Sequence, residues 1–153
     1  MAKIIHSKVY FAHPMAYYNT DIERLMLEMI KMKFPYTELV NPSERVHADA
    51  CKGKMQYFET LVASCPIIVA CAYPDGLYGM GVYRELNIGF YNKARLFTFF
   101  PKLSLEQQDS GATAQVLAPL DGQGFRNIRP LSIQETHDRN AKIIQERTLD
   151  QWE

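Results

Sequence analysis

Residues 66–89, PIIVACAYPDGLYGMGVYRELNIG, decide the fold. The first seven, 66–72, are continuously apolar, as expected of a parallel strand covered on both faces. The loop YPDGLYGMG (73–81) holds three glycines, a proline and an aspartate, and opens directly into a helix expected over 81–93. A strand, a glycine-bearing loop and a helix in that order are the core of a βαβ unit.

The same alternation continues in both directions. Upstream, 54–63 reads as a helix, 44–53 as a polar loop, and 36–40 as a short strand ended by the Asn41-Pro42-Ser43 turn signal. Before these, Ile22, Leu25, Met26, Met29 and Ile30 fall at helical spacing, with Asn19 or Thr20 as N-cap and Pro35 as the stop. Residues 7–12, SKVYFA, form a first strand with Val9 and Phe11 on one face and Tyr10 on the other. Downstream, 95–100 (RLFTFF) is a strand ended by Pro101, and 114–118 is a further short strand. Ser132-Ile133-Gln134-Glu135 is a capping box opening a final helix toward Leu149. The expected architecture is one doubly wound α/β domain over 1–153, flavodoxin-like or Rossmann-like, with a mostly parallel central sheet flanked by helices.

Composition agrees with a single domain and narrows function. At 153 residues with 47% hydrophobic and 22% charged side chains, the chain has enough apolar material for one core. Lys plus Arg and Asp plus Glu each number 17, so the basic excess of a dedicated nucleic-acid binder is absent. Three cysteines, Cys51, Cys65 and Cys71, form no C-x-x-C pair. They fit a reducing cytosol better than a disulfide framework or a zinc site, and Cys65 and Cys71, at or in an apolar run, read as buried thiols. No apolar run approaches the ~20 residues of a membrane span. The expectation is a cytoplasmic protein without membrane association.

In an open parallel sheet, ligands bind beyond the carboxyl ends of the strands. That singles out the loops after Ala12, after Ala72 and after Phe100. On the helix that follows the second of them, Val82, Leu86, Gly89 and Phe90 make an apolar face, and Glu85 falls on that face. A carboxylate turned toward a core is costly unless something uses it, although the nearby helix N-terminus offsets part of the cost. The plain alternative is a solvated first-turn glutamate. The first loop offers His13, Asn19 and Thr20 ahead of a helix N-terminus, a place suited to sugar hydroxyls or an anion; His13 reads equally as a satisfied loop histidine. Arg24 and Arg84 read as solvated charges. H-E-x-x-H, Walker A and G-x-S-x-G patterns are absent, so zincin, NTPase and α/β-hydrolase chemistry have no support.

Tyr10 in the first strand, Tyr73-Pro74-Asp75 after the third, and Gly81-Val82-Tyr83-Arg84-Glu85-Leu86-Asn87-Ile88-Gly89 together resemble the nucleoside 2-deoxyribosyltransferase-like family, which includes nucleoside monophosphate N-glycosidases. The resemblance covers roughly residues 8–101, and its sharpest element is Gly81-x-x-x-Glu85-Leu86-x-x-Gly89. It implies cleavage or transfer at the N-glycosidic bond of a (deoxy)nucleoside or nucleoside 5′-monophosphate, with Glu85 as nucleophile and Tyr10 orienting it. Asp75 is the implied carboxylate for the leaving base, with His13, Asn19, Glu59, Gly79 and Gly81 about the substrate. Glu59 does not align cleanly with the family aspartate, and the first loop lacks the family's glycine-rich phosphate-binding version. No metal or cofactor is implied. Homo-oligomers are common in the family, and the tail 121–153, with Phe125 and Trp152, is long enough to contact a neighbour. Two other readings stay open: an NAD-type glycohydrolase, and a non-catalytic nucleotide-binding or protein-interaction module on the same fold.

Overall fold

The computed structural model describes residues 7–44, 47, 49–50, 52, 54–102 and 114–152. Strand β1 (Lys8–Ala12) leads through a 3₁₀ turn (Met15–Tyr17) into α1 (Asp21–Lys33) and β2 (Glu38–Val40). Helix α2 (Met55–Ala63), β3 (Ile67–Cys71), α3 (Met80–Tyr91) and β4 (Arg95–Lys102) follow. β5 (Ala114–Pro119), the short α4 (Gly122–Arg126) and α5 (Ile133–Trp152) complete the order. The sheet runs β2-β1-β3-β4-β5; all pairings are parallel except β4 with β5. This is the doubly wound α/β arrangement the sequence predicts, with the strand order reversing between β1 and β3.

Period-two alternation explains how one sheet carries two cores. Tyr10, Ala12, Ile68, Ala70 and Leu96 pack with Val62, Val82 and Leu86 on the side of α2 and α3. Val9, Phe11, Ile67, Val69, Phe97 and Phe99 pack with Met26 and Ile30 of α1 on the other side. Every residue of β3 is buried, which accounts for the unbroken apolar run of its sequence. Cys65 and Cys71 are buried free thiols; Cys51 lies outside the described residues.

Gly89 is where α3 meets the sheet most closely. A Cβ there would stand 2.1 Å from Ile68 Cδ1 and 3.2 Å from Leu96 Cδ2, so this glycine of the motif serves packing.

Several boundaries differ from expectation for identifiable reasons. Pro101 continues β4 opposite Gln115, because β3 has ended at Cys71 opposite Phe99 and no neighbour on that side needs the missing N–H. Thr20 is the N-cap of α1, accepting from the Glu23 amide at 3.2 Å, while Asn19 takes the left-handed conformation at φ 62°. Of the polar segment 44–53 read as loop, His47, Asp49 and Ala50 are helical. Helix α4, not expected from the sequence, is capped by Asp121 Oδ1 accepting from the Gly124 amide at 2.7 Å. The Ser132 capping box is as expected: Ser132 Oγ accepts from the Glu135 amide at 3.1 Å, and Glu135 Oε1 from the Ser132 amide at 3.0 Å.

Phe125, read as a potentially exposed aromatic, is buried, stacked on Tyr83 and Phe90. Nor does the front of α5 extend away from the domain: Thr136, Arg139 and Asn140 all bond to the loop after β3 or the start of α3. Among the described residues, no helix is long and apolar enough to cross a membrane.

Candidate active site

The parts of the motif that pack and the parts that face open space separate cleanly on α3. Leu86 is fully buried and Gly89 is pressed on Ile68. A Cβ on Gly81 would meet nothing within 4 Å. Gly81 and Glu85 are four residues apart and share a helix face, so that face is open at Gly81, one turn before Glu85. Glu85 as a residue keeps partial exposure. Burial pushes its carboxyl up to about 8. The Tyr10 hydroxyl opposes that rise and the charge of Glu59 adds to it. A carboxyl that holds its proton near neutrality is a common mark of a functional site.

Tyr10 lies in the middle of β1 with its side chain on the α3 side and no exposed surface. Burial, then the charge of Glu85, raises its pKa, with Tyr18 adding to the effect. The two groups act on each other electrostatically, yet the Tyr10 hydroxyl lacks a partner of hydrogen-bonding geometry. A buried hydroxyl without a formed bond costs ~1–3 kcal/mol. Below pH 4.5, where Glu85 is protonated in folded and unfolded chain alike, Tyr10→Phe is therefore expected to raise thermal stability; an NMR titration should show the Glu85 carboxyl pushed higher still, which offsets the gain as pH rises. A drop in stability would show instead that the hydroxyl forms a bond the folded state needs.

The predicted carboxylate partners divide. Glu59, exposed on α2, is near enough for its charge to raise Glu85. Asp75 is committed elsewhere: Oδ2 accepts from Arg139 Nη1 at 2.7 Å and Oδ1 from the Leu77 amide at 3.2 Å. Burial pushes Asp75 up, but these bonds outweigh it and hold the carboxyl below its ordinary range.

The glycines of the loop after β3 likewise have separate uses. Gly76, at φ 85°, closes the Pro74-Asp75 turn, its amide bonded to the Tyr73 carbonyl at 2.8 Å. Gly79 lets α5 approach, since a Cβ there would lie 3.1 Å from Thr136 Cγ2. The loop is further anchored by Tyr78, whose hydroxyl donates to Thr98 Oγ1 at 2.5 Å, while Thr98 donates to the Ala70 carbonyl at 3.3 Å.

In the first loop, His13 is enclosed. Its Nδ1 donates to the Phe11 carbonyl at 3.0 Å, and its Nε2 meets Glu23 Oε2 at 2.7 Å. The ring stacks on Phe11 with centroids 3.9 Å apart. Glu23 Oε1 also accepts from the Asn19 amide at 3.2 Å. Both nitrogens of His13 thus point at protein acceptors. Asn19 remains exposed at the rim of this loop. Glu23 was not among the residues predicted for the site, although two signals mark it: the Thr20-x-x-Glu23 pattern, and its place three residues before Met26 and seven before Ile30 on the buried face of α1. Part of the third predicted loop, 103–113, lies outside the described residues.

A shallow cleft of about 520 Å³ on the outer side of α2, lined by Lys52, Lys54, Tyr57 and Thr60 among others, contains neither Glu85 nor Tyr10. It is broadly open to solvent, and the buried carboxyl is the better guide to chemistry. Among the described residues, no group of three or more His, Cys, Asp or Glu is placed to hold a metal ion. No protein-family model matches the chain, and no curated protein does.

Proposed function

We propose that the chain cleaves or transfers at the N-glycosidic bond of a (deoxy)nucleoside or nucleoside 5′-monophosphate, with Glu85 as nucleophile. One observation carries this reading: a carboxyl of raised pKa on the helix face that Gly81 leaves open, acted on by the buried, unpartnered Tyr10 hydroxyl. A sugar seated against the bare backbone of Gly81 would lie one helical turn from Glu85.

In the reaction, a Glu85 oxygen attacks the anomeric carbon as the bond to the base nitrogen breaks, and the bonding electrons leave with the base. The carboxylate stabilises the oxocarbenium-like transition state and then captures the carbon as a glycosyl ester. Water, or the nitrogen of a second base, attacks the same carbon and returns Glu85 as carboxylate. The leaving base needs a proton. We infer that a water held by the ionised Glu59, whose charge reaches Glu85, passes that proton on, and the proton released when water or the second base attacks restores the balance; Asp75, the residue first implied for that role, is tied to Arg139. Tyr10 restrains the rise in pKa of the nucleophile and would orient it once the substrate draws the two groups into a bond.

Only ionised Glu85 attacks, and the free protein holds that proton until about pH 8. The rate constant kcat/KM, which reports the free enzyme, is therefore expected to climb with pH, reach half its plateau near 8 and level off above that.

A homo-oligomer in a reducing cytosol belongs to the same reading, and the exposed apolar side chains of α1 (Ile22, Leu25 and Met32) support the assembly. The test is chromatographic detection of free base from a panel of nucleosides and 5′-monophosphates, with and without an acceptor base. Dependence on the acceptor assigns a transferase; independence assigns a hydrolase. Release of nicotinamide from a dinucleotide alone would favour the NAD-type glycohydrolase. No release from any substrate would overturn the catalytic reading and leave a binding module.

A further inference from the structure

We infer that α5 is an intramolecular clasp that holds the candidate active site in register, with Thr136, Arg139 and Asn140 as positioning residues. The catalytic consequence rests on the reading of Glu85 above; the clasp itself rests on geometry. Helix α3 begins at Met80 after Gly79, which has no side chain to cap it. Such a helix start leaves amide donors without partners. Thr136, from 56 residues further along the chain, accepts from the Met80 amide at 2.9 Å while donating to the Ser132 carbonyl at 2.7 Å.

One turn further along α5, Arg139 binds Asp75 and lies 5.3 Å over the Tyr73 ring. Beside it, Asn140 Oδ1 accepts from the Tyr73 hydroxyl at 2.6 Å. Tyr73 in turn meets Tyr17 edge-on, with centroids 6.4 Å apart, and Ile143 packs against the core cluster that includes Tyr17. Residues 136, 139, 140 and 143 share one helix face. That face therefore joins the two loops flanking the β1–β3 switch point and fixes the start of the helix that carries Glu85. Simple apolar docking of a terminal helix would not require an N-terminal amide, a tyrosine hydroxyl and an aspartate to converge on it. It would not require a glycine at position 79 either.

The experiment compares the full chain with Thr136→Val, which keeps the packing but loses the acceptor, Thr136→Ser, which restores it, and Arg139→Ala. Two readouts need no turnover: hydrogen exchange of the amides at 76–83, and the titration of the Glu85 carboxyl by NMR. In Thr136→Val, exchange at 76–83 is expected to rise about ten-fold, the magnitude of one lost local bond. Exchange in β1 and β3 should stay unchanged. The Glu85 midpoint should fall from about 8 toward the ordinary carboxylate range as water enters. Thr136→Ser should restore both, and Arg139→Ala should reproduce the exchange effect at 73–77. If turnover is detected, kcat of Thr136→Val should drop about ten-fold with a smaller change in KM. Unchanged exchange and titration in both Thr136→Val and Arg139→Ala would overturn the clasp, as would failure of serine to restore them. Absence of base release by the wild type would overturn the glycosidic reading and leave the clasp standing.

Discussion

Glu85→Gln is expected to abolish base release and, at the same time, to make the folded chain more stable. The loss of activity should be at least ~10³-fold, because an amide neither attacks the anomeric carbon nor carries charge to the transition state. The gain in stability follows from proton linkage. In the unfolded chain the carboxyl loses its proton near the ordinary 4.5, whereas in the folded chain it keeps it to about 8. Between those values the folded state binds more protons than the unfolded state, so stability falls as pH rises through the window. Glutamine does not titrate and escapes that penalty. The variant should match the wild type near pH 4.5 and exceed it increasingly up to pH 8, by about 1–3 kcal/mol, after allowance for the partial solvent contact of the residue. Thermal denaturation of both proteins across pH 4–9 measures the difference. A gap independent of pH would mean that the Glu85 carboxyl is not held protonated, and the proposed pH dependence of turnover would go with it.

The second large effect belongs to the His13–Glu23 pair, where side-chain exposure is 0% and 5%. Removing one partner of such a pair leaves the other charged or polar group buried without compensation, which costs ~3–5 kcal/mol. Glu23→Ala should accordingly lower Tm by on the order of 10 °C. The pH dependence runs opposite to that of Glu85. Burial pushes the Glu23 carboxyl up, but bonds from His13, Ser43 and the Asn19 amide outweigh it and hold the pKa below 4.5. A depressed acid stabilises the folded state above its unfolded pKa and loses that contribution as pH falls through the folded value. The deficit of Glu23→Ala should thus be full above pH ~4.5 and shrink in more acid solution. A deficit of the same size at every pH would show that the residue acts by packing alone.

This pair also bears on how the first loop works. Nδ1 is bonded to the Phe11 carbonyl and Nε2 to the Glu23 carboxylate, so neither ring nitrogen faces the open side of the loop. His13 therefore shapes the loop from within, and the loop's exposed polar contribution comes from Asn19.

The sequence by itself determined the layered architecture and the most chemically interesting residue. The unbroken apolar run of β3 required burial on both faces, the alternation in β1 placed Tyr10 opposite Val9 and Phe11, and the helical spacing of Val82, Leu86 and Gly89 put Glu85 on an inward face. These are consequences of local periodicity, and periodicity is written in the order of residues. Only the tertiary structure decided which partner each polar group meets. Asp75 was drawn to Arg139, 64 residues away, and His13 to a glutamate on α1. Gly79 answered to Thr136 from the last helix and Gly89 to Ile68 of β3, while Gly81 was left facing open space. The three glycines looked alike in sequence because a missing Cβ is the same in all of them; what occupies the space it would have filled depends on elements distant in the chain. The proton affinity of Glu85 has the same origin, since burial and the opposing influences of Tyr10 and Glu59 exist only once β1, α2 and α3 are packed together.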